Sequence, residues 1–310
     1  MTRVTDLTLH DTIIVGGGPA GLSAALVLGR CLRRVLVCDS GAYRNERSTA
    51  LHCFISQDGS PPSRLLQEAR RQLQRYQTVA VEAATVAGID RHADRFVLTT
   101  GDGRELQAST LLVATGVVDE LPPLEGIEAL FGRSVHVCPY CDGWEHRNTP
   151  IAVYGRGEKG TGLALLIRQW TDDVVLCTDG PADLSDLQHR QLRRCGIAVR
   201  EQPILKLHGA DGCLSAIEFR DDSKLPRQAL FFSTGQHPRS PLLERLGCAF
   251  DDDGGVRCAE TGETTIPGVF VAGDVSRDVQ LAIIAAAEGA RAALAINKRL
   301  LGNAEQTPQD

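Results

Sequence analysis

The residues with the most specific chemistry are Cys138-Pro139-Tyr140-Cys141-Asp142-Gly143. Two residues between thiols let the sulfurs form an exchangeable disulfide, and the motif can lower a thiol pKa. The same spacing supplies half of a zinc site, which needs four ligands. No second Cys-x-x-Cys is present, and His136 and His146, though near in sequence, would make an unusual closed site. An inert pair is the third reading. Opening a disulfide leaves a sulfur that needs a proton, and Asp142, directly after the second cysteine, can supply it if burial raises its pKa. The plainer reading of Asp142 is a turn carboxylate beside Gly143. His136 reads either as a partner of the pair or as a packed strand residue.

Such a pair needs a redox cofactor and elements to hold it. Thr12-Ile13-Ile14-Val15 has a buried-strand pattern and runs into Gly16-Gly17-Gly18-Pro19-Ala20-Gly21. A helical stretch, Leu22 to Leu28, and a second strand, Val35 to Cys38, lead to Asp39, which lies 23 positions after Gly16. Strand, glycine turn, helix, strand, acid is the order of a dinucleotide site. The glycines allow close backbone approach to a pyrophosphate, the helix start offers free N–H groups, and the acid accepts from ribose hydroxyls. The pattern recurs 139 positions later. Ile151 to Tyr154 precedes Gly155-Arg156-Gly157-Glu158-Lys159-Gly160, and Thr161 to Trp170 leads to Val174 to Cys177. Two more buried strands end in small residues: Leu111-Leu112-Val113 at Ala114-Thr115-Gly116, and Val269-Phe270-Val271 at Ala272-Gly273-Asp274. Asp274 reads as a helix N-cap or as a contact to a flavin ribityl chain. An apolar helix is expected over Gln280 to Gly289.

The fold expected is therefore α/β, with two Rossmann-like, three-layer dinucleotide-binding units, one inserted in the other. Gly- and Pro-bearing stretches at 117–123 and 235–241 read as crossings between them. They divide the chain into 1–117 with 237–310 and an inserted 118–236. A length of 310 residues suits two domains. A net charge of −6 argues against nucleic-acid binding. The N-terminus has no apolar signal core, and the apolar stretch Leu281 to Ala287 is too short to span a bilayer. The expectation is a cytoplasmic protein with no membrane span. The other eight cysteines read as core or incidental thiols. Asp251 to Gly255 reads as a solvated turn, and the tail after Asn303 as unstructured.

GGGPAG at 16–21, ATG at 114–116, CPYCDG at 138–143, GRGEKG at 155–160 and VAGDV at 271–275 come in the order of the low-molecular-weight thioredoxin reductase family, which the chain resembles over nearly its whole length. The resemblance implies an FAD domain made of both chain ends, an inserted NAD(P)-binding-like domain carrying the cysteine pair, and a homodimer. It implies that Cys141 faces the flavin, Cys138 exchanges with a thioredoxin-like disulfide, and Asp142 is the general acid. The FAD contacts it implies are Gly16, Gly18, Pro19, Ala20, Gly21, Asp39, Ala114, Thr115, Gly116, Gly273, Asp274, Gln280 and Leu281.

The chain also departs from that family. Thr178-Asp179-Gly180 stands where the family has basic residues for the 2′-phosphate of NADPH. NADPH is therefore disfavoured, NADH stays open, and ferredoxin or a dithiol are alternative electron donors. His136 and Trp144-Glu145 resemble the dithiol oxidases that close disulfides in gliotoxin- and holomycin-type products, although those usually carry His, not Asp, after the second cysteine. In that group the loop holding Asn45 comes near the flavin. Small-molecule dithiol oxidation with oxygen and a flavin-binding redox sensor are the alternative functions.

Overall fold

The computed structural model describes residues 9–92, 95–252, 254–276 and 279–305. The seven-stranded sheet takes strands from both ends of the chain. Its order is Val79–Ala83, Val35–Asp39, Leu9–Val15, Glu105–Val113, Arg95–Thr100, Val86–His92, with Val269–Val271 also paired to Glu105–Val113. The strands of the glycine-turn unit run parallel, and the edge hairpin is antiparallel. Successive residues point to opposite faces of a strand. Ile13, Leu36, Leu111 and Val269 thus pack in one core, while Ile14, Val37, Leu112 and Phe270 pack in another. Both faces are buried, which is why these strands read as unbroken apolar runs. Helices Pro19–Arg30, Pro62–Leu73 and Ala282–Glu305 supply apolar side chains to the second core.

The five-stranded sheet comes from the middle of the chain. Its order is Ala198–Arg200, Val174–Cys177, Ile151–Tyr154, Ala229–Phe232, Val135–His136, and all pairs are parallel. A three-stranded antiparallel sheet packs on it, and an antiparallel pair, Val117–Asp119 with Gln236–Pro238, links the two halves.

Register positions the site. Val15 is level with Cys38 and Val113, and Val113 with Val271. The segments after these strands therefore all leave the same carboxyl edge of the sheet, where α/β sheets bind ligands. In the other sheet His136 is level with Phe231, so Cys138 emerges just beyond a carboxyl edge too.

Asp251 Oδ1 accepts from Gly255 N in a tight turn, of which residue 253 lies outside the described residues. The last helix, Ala282–Glu305, begins two residues later than Gln280 and continues well past Gly289. It reaches into the tail expected to be unstructured, whose residues 306–310 lie outside the described residues. No helix among the described residues is long and apolar enough to cross a membrane.

Candidate active site

The glycine turn touches the Ala114-Thr115-Gly116 turn. Gly16 has φ +112°, and a Cβ there would lie 2.3 Å from Ala114 O. Gly18 precedes Pro19, which opens the helix Pro19–Arg30 where its missing N–H costs nothing. Asp39 closes the other side. Its Oδ1 accepts from Gly41 N at 3.1 Å, and its Oδ2 accepts from Tyr43 Oη and Arg70 Nη2, each at 2.5 Å. Burial opposes ionisation, but these donors together hold the carboxyl below the usual Asp range. A carboxylate has about four acceptor positions, so Oδ1 retains room for a ribose hydroxyl.

These segments line a cavity of about 730 Å³. Gly16, Gly18, Pro19, Ala20, Asp39, Asn45, Ala114, Thr115, Gly116, Gly273, Asp274, Gln280 and Leu281 all reach it, and so do His136, Cys138, Cys141 and Asp142. Gly21 is not among the lining residues; it packs beneath the turn, where a Cβ would meet Gly16 O. Residues from three stretches far apart in sequence thus share one chamber with the cysteine pair.

Cys138 and Cys141 are joined as a disulfide across one helical turn, Pro139–Asp142. Cys138 is the N-cap of that turn, and its Sγ accepts from Cys141 N at 3.2 Å. Tyr140 and Trp144 stand exposed beside the pair. His136 is buried at 5 % exposure. Its Nδ1 lies 3.3 Å from Asp142 Oδ1, and its Nε2 lies 2.9 Å from His146 Nε2. Burial, reinforced by neighbouring His136 and opposed by Asp142, pushes the His146 imidazole down to about 4. Among the described residues no group of three His, Cys, Asp or Glu could hold a metal ion.

Sequence reasoning missed several residues here. Arg44 binds Asp119 through both carboxylate oxygens, and its Nη1 also reaches Asp274 Oδ2 at 2.9 Å and Gln280 Oε1 at 2.6 Å. The four side chains come from three stretches far apart in sequence, so no local spacing marks them. Asp274 is accordingly an acceptor for Arg44 at the cavity wall. Cys53, one of the cysteines expected to be core or incidental, has its Sγ 3.3 Å from Tyr140 O, inside the Cys-x-x-Cys turn. Cys38 and Cys177 fit the core reading: burial pushes their thiols up to about 11 and about 12.

The second glycine unit is built differently at the end of its second strand. Thr178 stands where the first unit has Asp39, and its hydroxyl donates to Gly180 O at 2.6 Å. Arg156, from the glycine turn itself, donates from Nε to Thr178 O at 2.6 Å and from Nη2 to Asp179 O. Asp179 Oδ1 accepts from Ile204 N at 2.6 Å. The guanidinium thus ties the turn to the strand end.

Residues 10–289 match the model of the pyridine nucleotide-disulphide oxidoreductase family. A thioredoxin reductase of Aquifex aeolicus is 30% identical over 322 residues, covering 97% of this chain and 96% of its own. The crystal structure of a putative thioredoxin reductase TrxB from Bacillus anthracis superposes with a TM-score of 0.91 at 30% identity, covering 95% of this chain and 99% of that one. The structure of HlmI gives a TM-score of 0.92 at 35% identity, covering 98% and 96%. Sequence, chain coverage and fold agree, and the chain belongs to the pyridine nucleotide-disulphide oxidoreductases as a thioredoxin reductase-like enzyme.

Proposed function

We propose that the chain is an FAD-dependent disulfide oxidoreductase in which the Cys138–Cys141 pair passes electrons between the flavin and a thioredoxin-like protein disulfide. The observation that carries this is the shared chamber: the disulfide, the glycine turn and Asp39 line one cavity. The residues present fit FAD. The N-terminus of Pro19–Arg30 suits its pyrophosphate and Asp39 its ribose. Thr115 Oγ1 is buried at the cavity wall without a partner in the protein, as a ligand-binding hydroxyl would be.

Bound FAD would supply or accept the electron pair. The rest belongs to the chain. Cys141 serves the flavin side and Cys138 exchanges with the substrate sulfur. Asp142, 3.3 Å from His136, gives and takes the proton that each sulfur requires. The same proposal takes 1–117 with 237–310 as the FAD domain, 118–236 as the inserted one, and the active form as a homodimer.

NADPH is a poor donor in this reading. Its 2′-phosphate needs charge-assisted bonds, and the second unit offers Thr178 and Asp179 there, with Arg156 engaged on backbone carbonyls. NADH, reduced ferredoxin or a dithiol remain as donors. Buried His136 ahead of the pair and exposed Trp144 after it also favour a second reading: a small-molecule dithiol oxidase that returns electrons to oxygen.

The test is anaerobic mixing of purified yellow protein with NADPH, NADH, reduced ferredoxin or dithiothreitol while flavin absorbance is followed, and then with thioredoxin disulfide. Bleaching by a donor other than NADPH and recovery with thioredoxin is expected. Fast bleaching by micromolar NADPH rejects the donor assignment. Peroxide formation with a small dithiol, and no reaction with thioredoxin, selects the oxidase.

A further inference from the structure

His146 touches neither cysteine, yet it contacts the buried ring that reaches Asp142. We propose that His146 is the outer end of a proton relay, His146–His136–Asp142, that carries a proton between solvent and the Cys138–Cys141 pair during thiol–disulfide exchange. The relay rests on the reading of Asp142 as the acid of that pair.

Hydrogen-bond logic sets the direction. A contact of 2.9 Å between two Nε2 atoms holds one proton, donated by one ring and accepted by the other. A carboxyl oxygen of Asp142 at 3.3 Å is placed to accept from His136 Nδ1–H. Nε2 of His136 is then the acceptor, Nε2–H of His146 the donor, and Nδ1 of His146 holds the remaining lone pair. Each ring has one N–H and one lone pair in series, which is what proton hopping requires. His136 is buried, and both ends of the chain are half-buried, His146 on one side and Asp142, at the cavity wall, on the other. Phe231 packs against both rings and keeps them in register. The depressed basicity of His146 keeps it neutral near pH 7, able to take a proton on one nitrogen and give one from the other.

The step balances. An incoming thiolate sulfur bonds to Cys138 Sγ, the Cys138–Cys141 bond breaks, and its electron pair goes to Cys141 Sγ. The negative charge brought into the site is matched by one proton. Solvent protonates His146 Nδ1, His146 Nε2–H passes to His136 Nε2, and His136 Nδ1–H passes to Asp142 Oδ1. Asp142, next in sequence to Cys141, is left neutral and able to protonate a leaving sulfur. Both imidazoles end as their other tautomers. Re-forming the disulfide drives the proton back out and resets them. The other charged groups close by have partners of their own: Glu145 with His52, His52 also with Asp58, and Arg147 with the Trp144 ring.

The test measures opening of the Cys138–Cys141 disulfide in the holoenzyme by dithiothreitol, quenched by alkylation and read by peptide mass, at low buffer concentration. His146→Gln keeps a side-chain donor for His136 but cannot pass the proton on. It is expected to slow opening by roughly tenfold or more. His146→Ala is expected to be equally slow and to recover with added imidazole. Asp142→Asn is expected to be slow with no recovery. A wild-type rate in His146→Gln overturns the relay and leaves Asp142 as the acid if Asp142→Asn is slow. Slow His146→Ala that imidazole does not restore also overturns it, because that variant lacks only the carrier. A wild-type rate in Asp142→Asn sinks the acid reading itself.

Discussion

Arg44 grips Asp119 with two parallel hydrogen bonds, Nε to Oδ2 at 2.8 Å and Nη2 to Oδ1 at 2.6 Å. Asp119 ends the strand that links the two sheets, and the remaining Arg44 nitrogen holds Asp274 and Gln280. One guanidinium therefore ties the linker to the segment after Val269–Val271. Its side chain is 22% exposed and that of Asp119 only 6%, so water can replace little of this network. Burial disfavours the Arg44 charge, but Asp119 and Asp274 outweigh that and raise its pKa. Arg44→Ala leaves two carboxylates without their cation and should cost about 3 kcal/mol in urea unfolding. Arg44→Lys should recover only part of this, because a lysine cannot make the paired contact.

Gly17 is expected to be intolerant of any side chain. A Cβ there would lie 2.3 Å from Asp39 Oδ2 and 2.8 Å from Asp39 Cβ, too deep in that side chain for a rotation to relieve. Gly17→Ala should push Asp39 off Tyr43 and Arg70, cost about 1–3 kcal/mol, and release FAD on gel filtration. Full FAD retention at wild-type stability would show that the ribose end of the site lies elsewhere.

The depressed pKa of His146 gives a pH dependence of known sign. Unfolded, His146 has an ordinary value near 6.5; folded, burial and His136 bring it to about 4. Between these values the unfolded chain binds more protons, so stability falls as pH drops through that window. Allowing for the ring's partial exposure, the loss is about 2 kcal/mol or less. Urea midpoints from pH 7 to pH 4 should fall less steeply in His146→Gln than in the wild type. Parallel curves would mean that the folded imidazole titrates normally.

The two cysteines should differ in what their loss does. Cys138→Ser is expected to leave a long-wavelength absorption from a Cys141 thiolate lying against the flavin, while exchange with a protein disulfide is lost. Cys141→Ser should lack that absorption. The opposite pattern would exchange the two assignments.

Local spacing carried the parts of this protein that lie within one stretch of chain. A tight turn between a buried strand and a helix needs glycine at set positions, so the turns at Gly16 and Gly155 were legible. So was the cysteine pair, whose sulfurs can bond across a single helical turn. Parallel strands buried on both faces read as apolar runs, and those at Leu111 and Val269 showed themselves the same way. The rest depended on what the sheets bring to one edge. Arg44, Asp119, Asp274 and Gln280 meet only because strands from both chain ends finish level with Val113. By sequence His146 is only a histidine a few residues past the cysteine pair, and Arg156 a member of the second glycine turn. Folding sets the first against a buried ring and turns the second onto the carbonyls of Thr178 and Asp179. A long side chain binds partners within several ångströms of its own backbone. Which partners those are is set by strand register and crossover, and no periodicity in a single chain encodes either directly.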